Sequence, residues 1–380
     1  MSARESVGAD EGLSLAYAAL LSLACLDSAG YSIIAPVTPA ISGATGAGPT
    51  LIGILVASFP VGIMAGFVLG AAAVTRGRET PLMLGSLGLI ALGSLGFVLG
   101  DGLAVYFPAR LIAGLGSGGV WMAVAFGTLA RWPGQEYVCM GRMLAAYSAG
   151  SLIGPLLGAA GGIQRPFLLY TCLVVLAAGA AWAMPAPPSR QAFHADRRAL
   201  RLRGFWAASA GIAFAVLALG IVDGVLPLHF AQGLSQAGIG LLYGAAAVVN
   251  VAAAAVAVRW RPRAVLLVGI GLVVAGTWVA AGTGAVSVWV PAMAALAAGI
   301  GAANTGSIGV LLEAVGVERI VTAMILWSQL GILGYMVGPI AAGAAAQWMG
   351  FVGAGVVAAL AGFLVVFLAV RPLRGTRLVA

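Results

Sequence analysis

Three charged side chains stand inside long apolar stretches, where an ionised group needs a reason to be. Asp27 lies near the middle of Leu23–Pro39, with Tyr31 one helical turn on and Pro36 and Pro39 closing the stretch. Arg110 and Asp223 interrupt two further apolar runs. At the centre of a bilayer an ionised side chain costs about 2.5–3.5 kcal/mol on insertion scales, so each of the three is a candidate functional group. A carboxylate that can take up and release a proton, with a guanidinium to modulate it, can couple to a proton gradient; Asp27, Arg110 and Asp223 form that candidate set. Asp223 has a second reading, as a structural partner near the outer gate. Arg110 lies about seven residues into its run, roughly 10 Å deep at 1.5 Å per residue, where it needs a carboxylate or backbone carbonyls. Gly114, Ser117 and Trp121 share its face at i+4, i+7 and i+11, and Tyr31, Ile34 and Thr38 share the face of Asp27. Tyr147, Tyr243, Asn250, Asn304, Trp327 and Gln329 are further candidates for a polar cavity, each of which could equally be satisfied between helices.

The elements that must hold these groups are membrane helices. The 380 residues are 62% hydrophobic and 8% charged, with a mean hydropathy of +1.07, more apolar surface than a soluble globule can cover. Crossing the hydrocarbon core takes about 20 apolar residues, and twelve such runs are present: 13–40, 50–74, 81–99, 103–129, 139–162 and 166–184, then 205–231, 237–258, 264–283, 288–314, 321–346 and 351–370. All nineteen basic residues are arginine. With alternating sides, seventeen fall on the side of the N-terminus, only Arg165 falls opposite, and Arg110 is inside a run. The positive-inside rule then puts both termini in the cytoplasm of a multi-pass protein of the cell membrane. It also accounts for the net charge of +8 without a nucleic-acid partner.

The one long polar break, 185–204, divides the chain into bundles 1–184 and 205–380. Its arginines read as topology and linker, or as contacts to anionic lipid headgroups. The bundles look duplicated. Asp27 is matched by Asp223, Ile52-Gly53-Ile54-Leu55 by Ile239-Gly240-Leu241-Leu242, Gly114-x-Gly116 by Gly299-x-Gly301, and Gly154-Pro155 by Gly338-Pro339. Paired repeats with a site at their interface are a common plan of secondary transporters. Gly150, Gly154 and Gly158 clear one stripe of the fifth helix for a close neighbour, and Pro155 removes a backbone hydrogen bond and permits a bend. Gly62, Gly66 and Gly70 show the same spacing without a proline, so packing alone is the simpler reading of such a stripe.

Four stretches together resemble the major facilitator superfamily, in particular its twelve-helix drug:proton antiporter branch. They are the Asp27 segment, Gly70-Ala-Ala-Ala-Val-Thr-Arg76-Gly77-Arg78, Arg110-Leu-Ile-Ala-Gly114-Leu-Gly116-Ser-Gly118, and Gly150-Ser-Leu-Ile-Gly154-Pro155-Leu-Leu-Gly158. The second resembles that family's loop signature, the third its buried-arginine motif and the fourth its antiporter motif. Val74 and Thr75 depart from the signature, which usually has an aspartate and an arginine there; in the family that acid helps latch the cytoplasmic side, and Glu79 is a possible substitute. The resemblance implies an all-α membrane fold of two six-helix bundles. It also implies proton-coupled export of a small lipophilic or cationic molecule, by a chain functional as a monomer among membrane lipids. An uptake symporter or uniporter on the same fold is the nearest alternative, and a non-transporting receptor or scaffold a more distant one.

Enzymatic chemistry finds no footing. The chain has no GxxxxGK[ST], HExxH or GxSxG motif, and its eleven acids are scattered, so no metal or cofactor is expected. Cys25, Cys139 and Cys172 are widely spaced and read as apolar filler.

Overall fold

In lipid every backbone amide and carbonyl must be satisfied within its own segment, so apolar runs of this length form helices. The computed structural model describes residues 3–132, 135–184, 202–315 and 320–370. Among them it is all-helical: α1 (Ala3–Ser32), α2 (Thr38–Thr45), α3 (Pro49–Thr75), α4 (Glu79–Leu99), α5 (Leu103–Arg131), α6 (Glu136–Gly158) and α7 (Gln164–Trp182), then α8 (Arg203–Gly224), α9 (Leu226–Phe230), α10 (Gln236–Ala257), α11 (Pro262–Gly282), α12 (Val286–Val315), α13 (Ile320–Met349) and α14 (Val352–Val370). Taking α1 with α2 and α8 with α9 gives twelve runs. Ten helices among the described residues are long and apolar enough to cross a membrane, and Val352–Leu368 is a shorter apolar one.

Two of the expected continuous helices are broken. The run expected over 13–40 stops at Ser32, passes through a 3-10 turn at Ala35–Val37 and resumes as α2. Pro36 explains the break, because it has no amide to donate to the Ser32 carbonyl and so continue α1, and Pro39 sits in the first turn of α2, where a missing amide costs nothing. The run expected over 205–231 breaks at Val225, just before Pro227. Pro60, Pro108, Pro155, Pro291 and Pro339 instead lie inside helices that continue through them.

The described residues fall into two compact units. Unit 1 comprises the described residues within 1–46, 58–193 and 236–244; unit 2 comprises those within 47–57, 194–235 and 245–380. In unit 1, α1 packs on α6, and α4 packs on α5 and α7. In unit 2, α8 packs on α12 and α13, and α11 packs on α12 and α14. Each unit also takes in a strip from the other sequence half. Residues 47–57 join unit 2, where Thr50 Oγ1 donates to the Gly343 carbonyl at 3.3 Å and a Cβ at Gly53 would overlap the Pro339 carbonyl. Residues 236–244 join unit 1, where Gln236 Nε2 donates to the carbonyls of Gly158 (2.7 Å) and Gly162 (2.9 Å) while its Oε1 accepts from Gly162 N (2.9 Å). Most of the expected linker, 185–201, lies outside the described residues.

Candidate functional site

The glycine stripe of α6 finds its neighbour in α1. A Cβ at Gly150 would overlap the Cys25 carbonyl, one at Gly154 would overlap Ser32 Oγ and the Ala29 carbonyl, and one at Gly158 would lie 2.7 Å from the Ile33 carbonyl. The stripe therefore brings α6 against the backbone of the helix that carries Asp27. Asp27 is only 5% exposed, and its Oδ1 has no hydrogen-bond partner among the described residues. The Ser117 hydroxyl of α5 is set against the same carboxylate. A buried carboxylate with one oxygen unengaged is an acceptor waiting for a proton or a ligand donor.

Arg110 is 1% exposed and reaches the broken end of α1. Its Nη1 donates to the Gly30 carbonyl at 3.1 Å and its Nη2 to the Tyr31 carbonyl at 3.0 Å. The last carbonyls of a helix lack intrahelical amides and carry the negative end of its dipole, so the guanidinium caps α1 two residues before it ends. Its Cζ also stands 4.1 Å from the centroid of the Phe59 ring, a cation–π contact. Of the two partners the sequence allowed for Arg110, carboxylate or carbonyls, backbone carbonyls are present.

Tyr170 of α7 completes this cluster. Its hydroxyl donates to the Leu26 carbonyl at 3.1 Å, and a Cβ at Gly30 would overlap that hydroxyl. Between Gly30, Phe59, Ser94, Arg110, Ser117 and Tyr170 remains a cavity of about 10 Å³, about the space of one water. Tyr31 packs edge-on against Phe59 with ring centroids 5.7 Å apart. Trp121 and Tyr147 are brought together, edge to face at 5.2 Å. Sequence reasoning missed Phe59 and Tyr170: one is an ordinary apolar residue of α3, and the other lies in a helix with no buried charge to draw attention to it.

In unit 2, Asp223 of α8 is 2% exposed and accepts a 2.8 Å hydrogen bond on Oδ2 from the Tyr335 hydroxyl of α13. Trp327 Nε1 donates to Ser307 Oγ at 2.8 Å, and Ser307 Oγ donates to the Ala208 carbonyl at 2.6 Å, a chain joining α13, α12 and α8. Gly334 and Gly338 repeat the stripe arrangement: a Cβ at either would overlap α8 carbonyls, those of Ala213 and Leu217. Pro339 follows at once and packs on Gly220 and Gly224. Tyr243 is buried, Asn250 and Gln329 are half-buried, and Asn304 is exposed.

At the α3–α4 turn, Gly70 packs against Met122 of α5, and Gly77 adopts φ +70°, which only glycine accepts without strain. Arg76 Nη1 donates to the Ala72 carbonyl at 3.3 Å on the surface, and Arg78 is exposed. Val74 is half-buried, Thr75 is exposed, and Thr75 Oγ1 donates locally to the Ala72 carbonyl at 3.1 Å. The acid at this corner is Glu79, which makes a buried ion pair with Arg131 at the end of α5: Arg131 Nη1 donates to Glu79 Oε1 at 2.7 Å and to the Gly127 carbonyl at 3.0 Å. In the sequence Arg131 is one of the seventeen arginines on the side of the N-terminus.

Comparison with known proteins follows the same lines. A family model described as Major Facilitator Superfamily matches residues 20–290. No curated protein sequence gives a significant match. Among solved structures, a bacterial homolog of the human lysosomal transporter Spinster, inward-facing and unoccupied, superposes with a TM-score of 0.71 at 14% identity, covering 94% of this chain and 91% of that one. Its occupied inward-facing form superposes with a TM-score of 0.71 at 16% identity, covering 94% and 90%. A D-xylose-proton symporter superposes with a TM-score of 0.73 at 13% identity, covering 93% and 96%. At these identities the likeness is one of fold.

Proposed function

The chain belongs to the major facilitator superfamily, and on that premise we propose that it is a proton-coupled secondary transporter of the drug:proton antiporter kind. It exports a small lipophilic or cationic molecule across the cell membrane by alternating access, as a monomer with both termini in the cytoplasm. The observation that carries this reading is Asp27: buried, on a membrane helix, with one carboxylate oxygen free of hydrogen bonds among the described residues. Protonation removes the cost of holding that charge in lipid surroundings, and a cationic substrate can replace the proton as its counter-charge. Competition between proton and substrate for one carboxylate is sufficient to couple their movements in opposite directions. A proton moving down the membrane potential supplies about 2.3 kcal/mol per 100 mV, enough to sustain moderate accumulation ratios. Arg110 modulates the site through the α1 end that it caps. Asp223, hydrogen-bonded to Tyr335, contributes from unit 2. Tyr31, Ser117, Trp121, Tyr147 and Tyr243 in unit 1, and Asn250, Asn304, Trp327 and Gln329 in unit 2, are the side chains assigned to substrate contact within their own units.

The deciding measurement is flux in proteoliposomes of known orientation under an imposed pH gradient, preceded by a drug-susceptibility and metabolite-export panel to find a substrate. Asp27→Asn is expected to abolish gradient-driven transport while expression and substrate counterflow persist. Undiminished coupled flux in Asp27→Asn would remove Asp27 from the proton path. Flux in the direction of the proton would make the protein a symporter, and gradient-independent flux a uniporter, since fold alone does not set direction.

A further inference from the structure

Away from the Asp27 cluster, unit 2 holds a second hollow of quite different chemistry. Between α10, α11 and α12 runs a crevice of about 250 Å³, lined among the described residues by apolar side chains. Ala257, Val265 and Ala302 form its buried floor, and half of its lining residues are alanines. Val256, Val268 and Trp260 form an open rim, at 47%, 56% and 65% exposure. Along α11 the lining extends from Ala264 to Leu272, about 12 Å at the helical rise of 1.5 Å per residue. The hollow is smaller than the roughly 300–1,000 Å³ of small-molecule sites and lacks the convergent polar groups that orient such ligands.

One end of the crevice is strongly charged. Arg259, Arg261 and Arg263 alternate with Trp260 and Pro262 at the α10–α11 junction, and all three arginines are exposed. Among the described residues, the acid on the adjoining helix end is Glu313, exposed and in no ion pair with them. A tryptophan beside basic residues is the composition of a membrane–water boundary, and clustered basic residues there attract anionic headgroups. We propose that this crevice is a binding site for one anionic glycerophospholipid, whose acyl chain fills the alanine-lined hollow and whose phosphate is held by Arg259, Arg261 and Arg263. The apolar length, the aromatic at the mouth and the cationic collar follow one another in the order of the parts of such a lipid. The positive-inside reading places the site in the cytoplasmic leaflet.

The test uses the full chain in nanodiscs of phosphatidylcholine carrying small amounts of brominated-tail phosphatidylglycerol or brominated-tail phosphatidylcholine, with tryptophan fluorescence as the readout. Trp260→Phe isolates the signal of Trp260 by difference. The expected result is stronger quenching of Trp260 by the anionic lipid than by the zwitterionic one at equal mole fraction. Replacing Arg259, Arg261 and Arg263 by Gln is expected to lower that preference by roughly fivefold for each arginine removed. Ala264→Leu, at the open mouth, or Ala302→Leu, on the floor, is expected to reduce quenching by both lipids, with native mass spectrometry showing one retained lipid fewer. Equal quenching by the two lipids in the wild type, or a preference unchanged by the arginine replacements, would overturn the proposal. So would quenching by neither lipid together with a dimeric mass, which would make this face an interface between two copies.

Discussion

At the residue scale, the informative charge is one that takes backbone carbonyls as partners. Arg110 spends two of its five N–H donors on the carbonyls of Gly30 and Tyr31 and rests its plane near Phe59. Lysine would keep the charge but lose the planar fork that bridges two adjacent carbonyls. Hydrogen bonds to charged groups contribute about 1.5–3 kcal/mol, so Arg110→Lys is expected to lower stability by about that amount. Chemical or thermal unfolding in detergent would measure the loss, and unchanged stability would show that the cap of α1 is held by something else. The burial of Asp27 and Arg110 was legible in the sequence because lipid leaves ionised groups few places to go. The carbonyl partners of Arg110 were not, because backbone acceptors have no residue identity and become available only where a helix ends. Glu79 and Arg131, 52 positions apart, were opaque for a related reason: each lies at a helix end rich in ordinary rim charges.

At the element scale, helical periodicity says which face is special and not what lies opposite. The Gly150, Gly154 and Gly158 stripe could be read from spacing; that it faces the Asp27 helix could not. The structure makes a sharp contrast within unit 1. A Cβ at Gly154 would overlap Ser32 Oγ and the Ala29 carbonyl, whereas a Cβ at Gly179 of α7 would meet nothing within 4 Å. Gly154→Ala is therefore expected to cost about 1–3 kcal/mol by overpacking. Gly179→Ala is expected to be neutral or to stabilise by up to about 1 kcal/mol, through the higher helix propensity of alanine. Paired melting curves would check both, and an equal response of the two positions would mean that the α1–α6 approach is not tight. The proline breaks were half legible. Pro36, Pro39 and Pro227 stand in the first turn of the segments that resume after the breaks, yet Pro155 and Pro339 are carried inside α6 and α13, where the neighbouring glycine backbone packs directly onto another helix. Sequence alone does not distinguish a proline that stops a helix from one that the surroundings sustain.

At the scale of the whole molecule, the all-helical plan and the repeat were readable, because runs of apolar residues and ordered pairs of motifs survive without any contact information. The packing supports the repeat: α6 lays its stripe on α1, and α13 lays Gly334 and Gly338 on α8. The strips exchanged between sequence halves, 47–57 and 236–244, were not readable, since nothing in either strip names the helix it joins. Orientation rests on the arginine asymmetry. A fluorescent protein fused after Ala380 is expected to be bright and alkaline phosphatase at the same point inactive; the opposite pair of results would invert the topology. The α1–α6 contact also has a consequence for how the protein is made. Gly150 follows Ser32 by roughly 120 residues, which at ~5–20 residues per second is on the order of ten seconds of synthesis. During that interval α1 is in the membrane without the helix that packs on its Cys25, Ala29 and Ser32 face. Biogenesis of this chain therefore leaves the close-packing face of the first helix to lipid or the insertion machinery until the sixth arrives.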